Sequence, residues 1–230
     1  MKTIGLIGGM SWESSAEYYR IINQAIQRRR GGTSSAQIVL ISVDFARIET
    51  LQASGDWDRA AADMIAAGHQ AQAAGADFLL LCTNTMHRVA DTVSEALSIP
   101  LLHIADVTAA AITDAGLGDV GLLGTRYTME QDFYRGRLQE HGVSVKIPDE
   151  PDRSLVHDII YDELVKGVIR PESRATYLSV VDDLVERGCQ GLIGGCTEIE
   201  LLISGADVSI PFFPTAELHA LAAVDLALLD

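Results

Sequence analysis

The 230-residue chain reads as an α/β protein made of two pseudo-symmetric lobes, each a doubly wound parallel sheet. Three observations predict this. Strand-like and helix-like segments alternate along the chain, which favours parallel sheets covered by helices on both faces. Motifs also recur in order at nearly constant separation. Ile4-Gly5-Leu6-Ile7-Gly8 returns as Val120-Gly121-Leu122-Leu123-Gly124, 116 positions later. Cys82-Thr83 returns as Cys196-Thr197 after 114, and Ser98-Ile99-Pro100 as Ser209-Ile210-Pro211 after 111. Ordered repeats of this kind point to an internal duplication. Finally, each repeated cysteine ends a short apolar run, the pattern of a buried parallel strand.

The elements follow in order. Residues 3–8 read as a buried strand. Trp12–Arg30 reads as a helix, with Ser11 as its N-cap and Gly31 as its stop. Residues 37–43 form a second strand that ends at Asp44. Residues 58–73 form an alanine-rich helix. Phe78–Leu81 is a third strand and residues 100–104 a fourth. The tail, residues 215–229, reads as a helix that returns to the first lobe. The expected division is residues 1–105 plus 212–230 for the first lobe and 106–211 for the second.

Composition narrows the function classes. Hydrophobic residues make up 48% of the chain, enough for real cores and too many for a disordered segment. No apolar run approaches the ~20 residues of a membrane span. The first strand follows Lys2 directly, so no signal peptide is expected. An odd cysteine count then favours free thiols in a reducing, cytoplasmic setting. Formal net charge is −15, which argues against nucleic-acid binding. The one basic run, Arg28-Arg29-Arg30, ends a helix, where cations favour the dipole. Cys189 reads as a small core hydrophobe. Neither Cys82 nor Cys196 has the neighbours of a zinc site, so no metal is expected.

The chemistry concentrates at the two repeated cysteines. A thiol at the carboxyl end of a parallel strand faces the crevice where α/β folds bind ligands. Thr83-Asn84-Thr85 and Thr197-Glu198 follow the two thiols and can bind oxygen. A helix N-terminus after each would stabilise a thiolate. Residues 5–10, Gly-Leu-Ile-Gly-Gly-Met, depart from G-x-G-x-x-G, and Asp44 lies beyond the expected ~20 residues. A dinucleotide loop is therefore not expected. The better reading is a tight turn that brings N–H groups near a bound carboxylate.

Four segments together resemble the cofactor-independent aspartate/glutamate racemase family, in its aspartate racemase-like branch. They are residues 79–87 (LLLCTNTMH) and 192–199 (LIGGCTEI), the opening residues 5–12 (GLIGGMSW) and residues 123–129 (LGTRYTM). The resemblance implies an active site between two similar lobes and racemisation without pyridoxal phosphate or any other cofactor. Cys82 and Cys196 would be the acid/base pair, one thiolate removing the α-hydrogen while the opposite thiol delivers a proton. Thr83, Asn84, Thr85, Thr197, and backbone N–H groups of Met10, Ser11 and Trp12 match positions that stabilise the developing carboxylate charge. Thr125 and Thr128 join them from the second lobe. Glu198 is either an acid assisting Cys196 or a helix N-terminal carboxylate.

Arg47 and Lys166 match positions that resemble the side-chain carboxylate clamp of aspartate-specific members. The implied substrate is aspartate, with glutamate beside it. Ala46 departs from that pattern, since an acid precedes the arginine in the aspartate enzymes. His87 and His103 read as structural hydrogen-bonding residues. His69, His141, His157 and His219 carry no pattern. Family members are often dimers, so a homodimer is an expectation. The competing readings are a broad-specificity amino-acid racemase, a maleate-isomerase-like relative and a non-catalytic amino-acid binding protein. The related decarboxylases use one active cysteine, and two are present here. A cleft-spanning disulfide would leave no room for a substrate.

Overall fold

The computed structural model describes residues 1–229. The chain divides into two compact units. One comprises Met1–Ile104 together with the chain from His219 onward, and the other is Ala105–Leu218.

The first unit runs β1 (Ile4–Gly8), α1 (Trp12–Arg30), β2 (Ile38–Ser42), α2 (Phe45–Ser54), α3 (Trp57–Ala73), β3 (Phe78–Leu81), a 3-10 turn (Thr85–Val89) and α4 (Ala90–Ala96). The second holds α5 (Ile104–Asp114), β4 (Asp119–Gly124), α6 (Arg126–Glu130), α7 (Asp132–Glu140), β5 (Ser144–Lys146), α8 (Asp152–Asp162), a 3-10 turn (Leu164–Lys166), α9 (Pro171–Glu186), β6 (Gly191–Gly195), α10 (Ile199–Leu202) and β7 (Phe212–Pro214). α11 (Thr215–Leu228) starts in the second unit and ends in the first.

Both sheets are parallel and wound alike. The first has the order β2-β1-β3 and the second β5-β4-β6-β7. A parallel bridge between Leu79 and Leu101 stands beyond β3, where β7 stands beyond β6. The duplication seen in the sequence is thus a duplication of strand order. The fourth strand expected at residues 100–104 shrinks to that bridge. The 79th residue's N–H and C=O pair with Pro100 and Leu102, and α5 already begins at Ile104. The expected helix at 58–73 starts one residue earlier, capped by Asp56. α2 was not anticipated; Asp44 ends the strand region by capping it, accepting from the Ala46 N–H.

Each sheet is covered on both faces. Ile7 packs in one cluster with Ala60 and Met64 of α3. A Cβ at the adjacent Gly8 would collide with Ser15 of α1. Successive residues of a strand face opposite ways, so α1 and α3 lie on opposite faces of β1. In the second unit a Cβ at Gly121 would touch Leu184 of α9, and one at Gly124 would touch Thr128 of α6. Those two positions also have opposite parity, so α9 and α6 flank β4. β7 stays with the second sheet because Phe212 and Phe213 pair with Leu192 and Ile193, and the Thr215 hydroxyl donates to the Gly194 carbonyl.

Candidate active site

In each unit two adjacent central strands end side by side, and the sequence places its chemistry just beyond them. β1 and β3 are neighbours, and the Cys82 N–H donates to the Ile7 carbonyl at 2.9 Å. Beyond β1, Gly9 has φ +89°, and a Cβ there would strike the Val43 carbonyl. Only glycine fits that turn. The Gly9 N–H donates to Ser15 Oγ at 2.7 Å. Ser11 caps α1, its hydroxyl accepting from the Ser14 N–H at 3.3 Å, and Gly31 ends the helix. Met10 and Ser11 are buried, while Trp12 is exposed.

Cys82 is fully buried, and that burial pushes its thiol far above the ordinary cysteine value. Asn84 and Thr85 are buried beside it and Thr83 is half-buried. His87, one turn on, is buried and bonds the Thr83 carbonyl through Nδ1 at 2.7 Å. His103 stacks edge-on against it, with ring centroids 4.5 Å apart. The sequence expectation of hydrogen-bonding histidines is met at His87.

In the second unit Cys196 follows β6 as Thr125 follows β4. The Cys196 thiol donates to Glu198 Oε2 at 2.8 Å. Glu198 is only 4% exposed. Burial raises the Cys196 thiol, and the Glu198 charge and hydrogen bond raise it further. Glu198 stands at the start of α10 and makes no side-chain capping bond there. Thr125 caps α6: its hydroxyl lies 3.3 Å from the Thr128 N–H and 3.2 Å from the Thr128 hydroxyl. Thr128 and Thr197 are buried. Tyr177 was not singled out in the sequence. It is fully buried, donates to the Val156 carbonyl at 2.9 Å, and is raised by burial, then by Cys196, Glu163 and Glu198.

The two cations are occupied within their own units. Arg47, on α2, makes a two-pronged pair with Asp63 of α3, at 2.6 and 2.7 Å. The pair raises Arg47 and lowers Asp63 through their mutual hydrogen bonds. It lines a cleft of about 230 Å³ with Ser42, Asp44 and Gln70, to which residues 9–12 and 82–85 contribute no lining. Lys166 is exposed on its 3-10 turn, 3.6 Å from Asp162. That turn packs against α10, the helix that follows the Cys196 loop. Asp63 was not anticipated, because its pairing depends on how α2 lies on α3. No group of three metal-binding side chains occurs among the described residues. No helix among them is long and apolar enough to cross a membrane.

The family model for Asp/Glu/hydantoin racemases matches residues 7–223. The chain belongs to that family. It is therefore a member of the racemases, a class of isomerases. A crystal structure of a candidate Asp/Glu racemase from Yersinia pestis superposes over all of both chains, at 53% identity and a TM-score of 0.93. An aspartate racemase homologue from Pyrococcus horikoshii OT3 covers 99% of each chain, at 31% identity and a TM-score of 0.84. The broad specificity amino-acid racemase RacX of Bacillus subtilis is 25% identical over 145 residues, 62% of this chain and 61% of RacX.

Proposed function

We propose that this racemase-family chain interconverts L- and D-aspartate, with glutamate as a second substrate, by proton transfer between Cys82 and Cys196. The observation that carries the reading is the Cys196 thiol donating to the buried Glu198 carboxylate at 2.8 Å. A buried acid beside a thiol has no need in a binding module. It supplies what a thiol base requires, an acceptor for its proton.

The steps follow from the side chains. Passing the Cys196 proton to Glu198 leaves a thiolate and a neutral acid, with the charge of the dyad unchanged. The thiolate removes the α-hydrogen from one face of the substrate. The electron pair left behind moves into the substrate carboxylate as an enolate. The Cys82 thiol then gives its proton to the opposite face and is left as the thiolate, with the proton that came from Cys196 resting on Glu198, so the reverse path starts from the Cys82 thiolate. The other enantiomer runs the same path in reverse. Thr83, Asn84, Thr85, Thr125, Thr128 and Thr197, with N–H groups of Met10, Ser11 and Trp12, are the donors that hold the developing charge. Each such donor is worth about 10²–10³ in rate. In this reading Arg47 gives up Asp63 and joins Lys166 in holding the substrate's side-chain carboxylate.

A broad-specificity racemase is the second reading, and a specific observation favours it. Arg47 already faces Asp63 with both prongs, and Lys166 has Asp162 nearby. Cations so engaged leave room for neutral side chains. The test is α-hydrogen exchange in D₂O, followed by NMR on both enantiomers of aspartate, glutamate and alanine without added cofactor. Exchange with inversion on aspartate and glutamate alone supports the first reading. Exchange on alanine as well supports the second. No exchange on any of them overturns both.

A further inference from the structure

We propose that His87 is a positioning residue for Cys82, its imidazole held as the Nδ1–H tautomer so that it fixes the Thr83 carbonyl and the sulfur next to it. This rests on the reading of Cys82 as an acid/base group.

The tautomer follows from the partners. A carbonyl oxygen can only accept, so Nδ1, at 2.7 Å from the Thr83 oxygen, carries the proton. A backbone N–H can only donate, so Nε2 accepts from Ile104 at 3.2 Å. Both assignments agree on one neutral form. The ring therefore ties the cysteine loop to Ile104, a residue of the same unit.

Three of the hydrogen bonds on the Cys82-Thr83 backbone fix its position. The Cys82 N–H goes to the Ile7 carbonyl at 2.9 Å, and the Thr83 N–H goes to the Leu81 carbonyl at 2.8 Å. The third, from His87 to the Thr83 oxygen, is made by a side chain. The ring itself is braced. It is 3% exposed and lies edge-on to His103 and His219, at centroid distances of 4.5 and 5.8 Å. His219 binds the Leu102 carbonyl through Nε2 and Tyr18 through Nδ1, each at 2.9 Å. His87 and His219 thus grip Leu102 and Ile104, two residues apart on one segment. Turning the His87 ring would break its bonds to the Thr83 oxygen and the Ile104 N–H. A misplacement of about 1 Å at a reacting group can cost about 10²-fold in rate. That is the effect the brace prevents.

The test uses single-face replacements in the full chain. Asn at position 87 puts an amide N–H where Nδ1–H lies. Gln puts its amide nearer the Ile104 end and leaves the Thr83 carbonyl without its donor. His87→Asn is expected to keep kcat within about 3-fold, while His87→Gln and His87→Ala lose about 10- to 100-fold in kcat with KM nearly unchanged. Thermal melts identify any variant that has simply unfolded. A measurement on the unmutated protein stands independently of them: ¹⁵N imidazole spectra should show the Nδ1–H tautomer for His87. Folded Gln and Ala variants with kcat near that of the parent would overturn the proposal. So would an Asn variant that falls as far as Gln, or an Nε2–H tautomer. If the unmutated protein exchanges no α-hydrogen, it is the racemase reading that fails, and the tautomer still reports on the brace.

Discussion

Replacing Glu198 with Gln keeps the shape of the side chain and removes its charge and its basicity. The structure sets the size of the effect. Glu198 Oε2 lies 2.8 Å from the Cys196 sulfur, with Glu198 buried and Cys196 half-buried. Two full negative charges at that separation would repel by roughly 6 kcal/mol at an effective dielectric of about 20. That repulsion favours one proton held across the contact. Gln cannot take that proton, so the thiol must ionise without a local acceptor. Loss of a positioned base costs about 10²–10⁴ in rate, and we expect about 10²-fold, or roughly 3 kcal/mol of barrier. The two enantiomers have equal energy, so kcat/KM must fall equally from both sides. Circular dichroism of L- and D-aspartate conversion measures it. A second readout carries the opposite sign. Glu198 raises the Cys196 thiol, so Gln should lower the pH at which that thiol ionises, although burial still holds it up. Ultraviolet titration in a Cys82→Ala/Cys189→Ala background isolates that thiol. Unchanged turnover together with unchanged ionisation would refute the dyad.

The remaining predictions concern specificity and stability. Asp63→Asn should free Arg47 and raise the preference for aspartate over alanine about tenfold, the worth of a charge-assisted hydrogen bond, while Arg47→Ala lowers it; equal ratios in both variants would exclude Arg47 from the site. Tyr18→Phe leaves His219 Nδ1 buried without its hydroxyl partner, which should cost about 1–3 kcal/mol, or about 2–4 °C in Tm for each kcal/mol. Burial pushes His219 down to about 3, partly offset by the Leu102 carbonyl and deepened by His103. The unfolded chain binds that proton near pH 6.5, so the stability from neutral His219 is complete above about 6.5 and lost as pH falls toward the folded value. Melting curves between pH 7 and 4 should show this slope, and His219→Gln should flatten it.

Much of this was legible in the sequence, for physical reasons that can be named. β1 and β3 are neighbours in a parallel sheet and fully buried, and their apolar runs announce it. Ser11 and Gly31 mark the ends of α1 because capping is local chemistry. The cysteines stand at strand ends because the apolar runs stop there. What was hidden depends on contacts distant in sequence. The short strand expected at residues 100–104 has the right composition, yet Ile104 is claimed by α5 and by the His87 ring. α2 is short, and it is held by Ile48, with Phe45 and Leu51, packed against the cluster of Met10 and Met86. The partner of Arg47 lies 16 residues away, on another helix. Nothing in the local pattern of Arg47 marks it as paired. His219 shows no pattern at all, and its meaning comes from Tyr18, 201 residues away.

The most direct test of the account is to separate α-hydrogen exchange from inversion in Cys82→Ala and Cys196→Ala, using each enantiomer of aspartate in D₂O. Two-base chemistry predicts that neither variant racemises. Each should still exchange deuterium into one enantiomer, the one whose α-hydrogen meets the surviving thiol, and the two variants should retain opposite enantiomers. Racemisation at a near-normal rate in either variant, or retention of the same enantiomer by both, would contradict it.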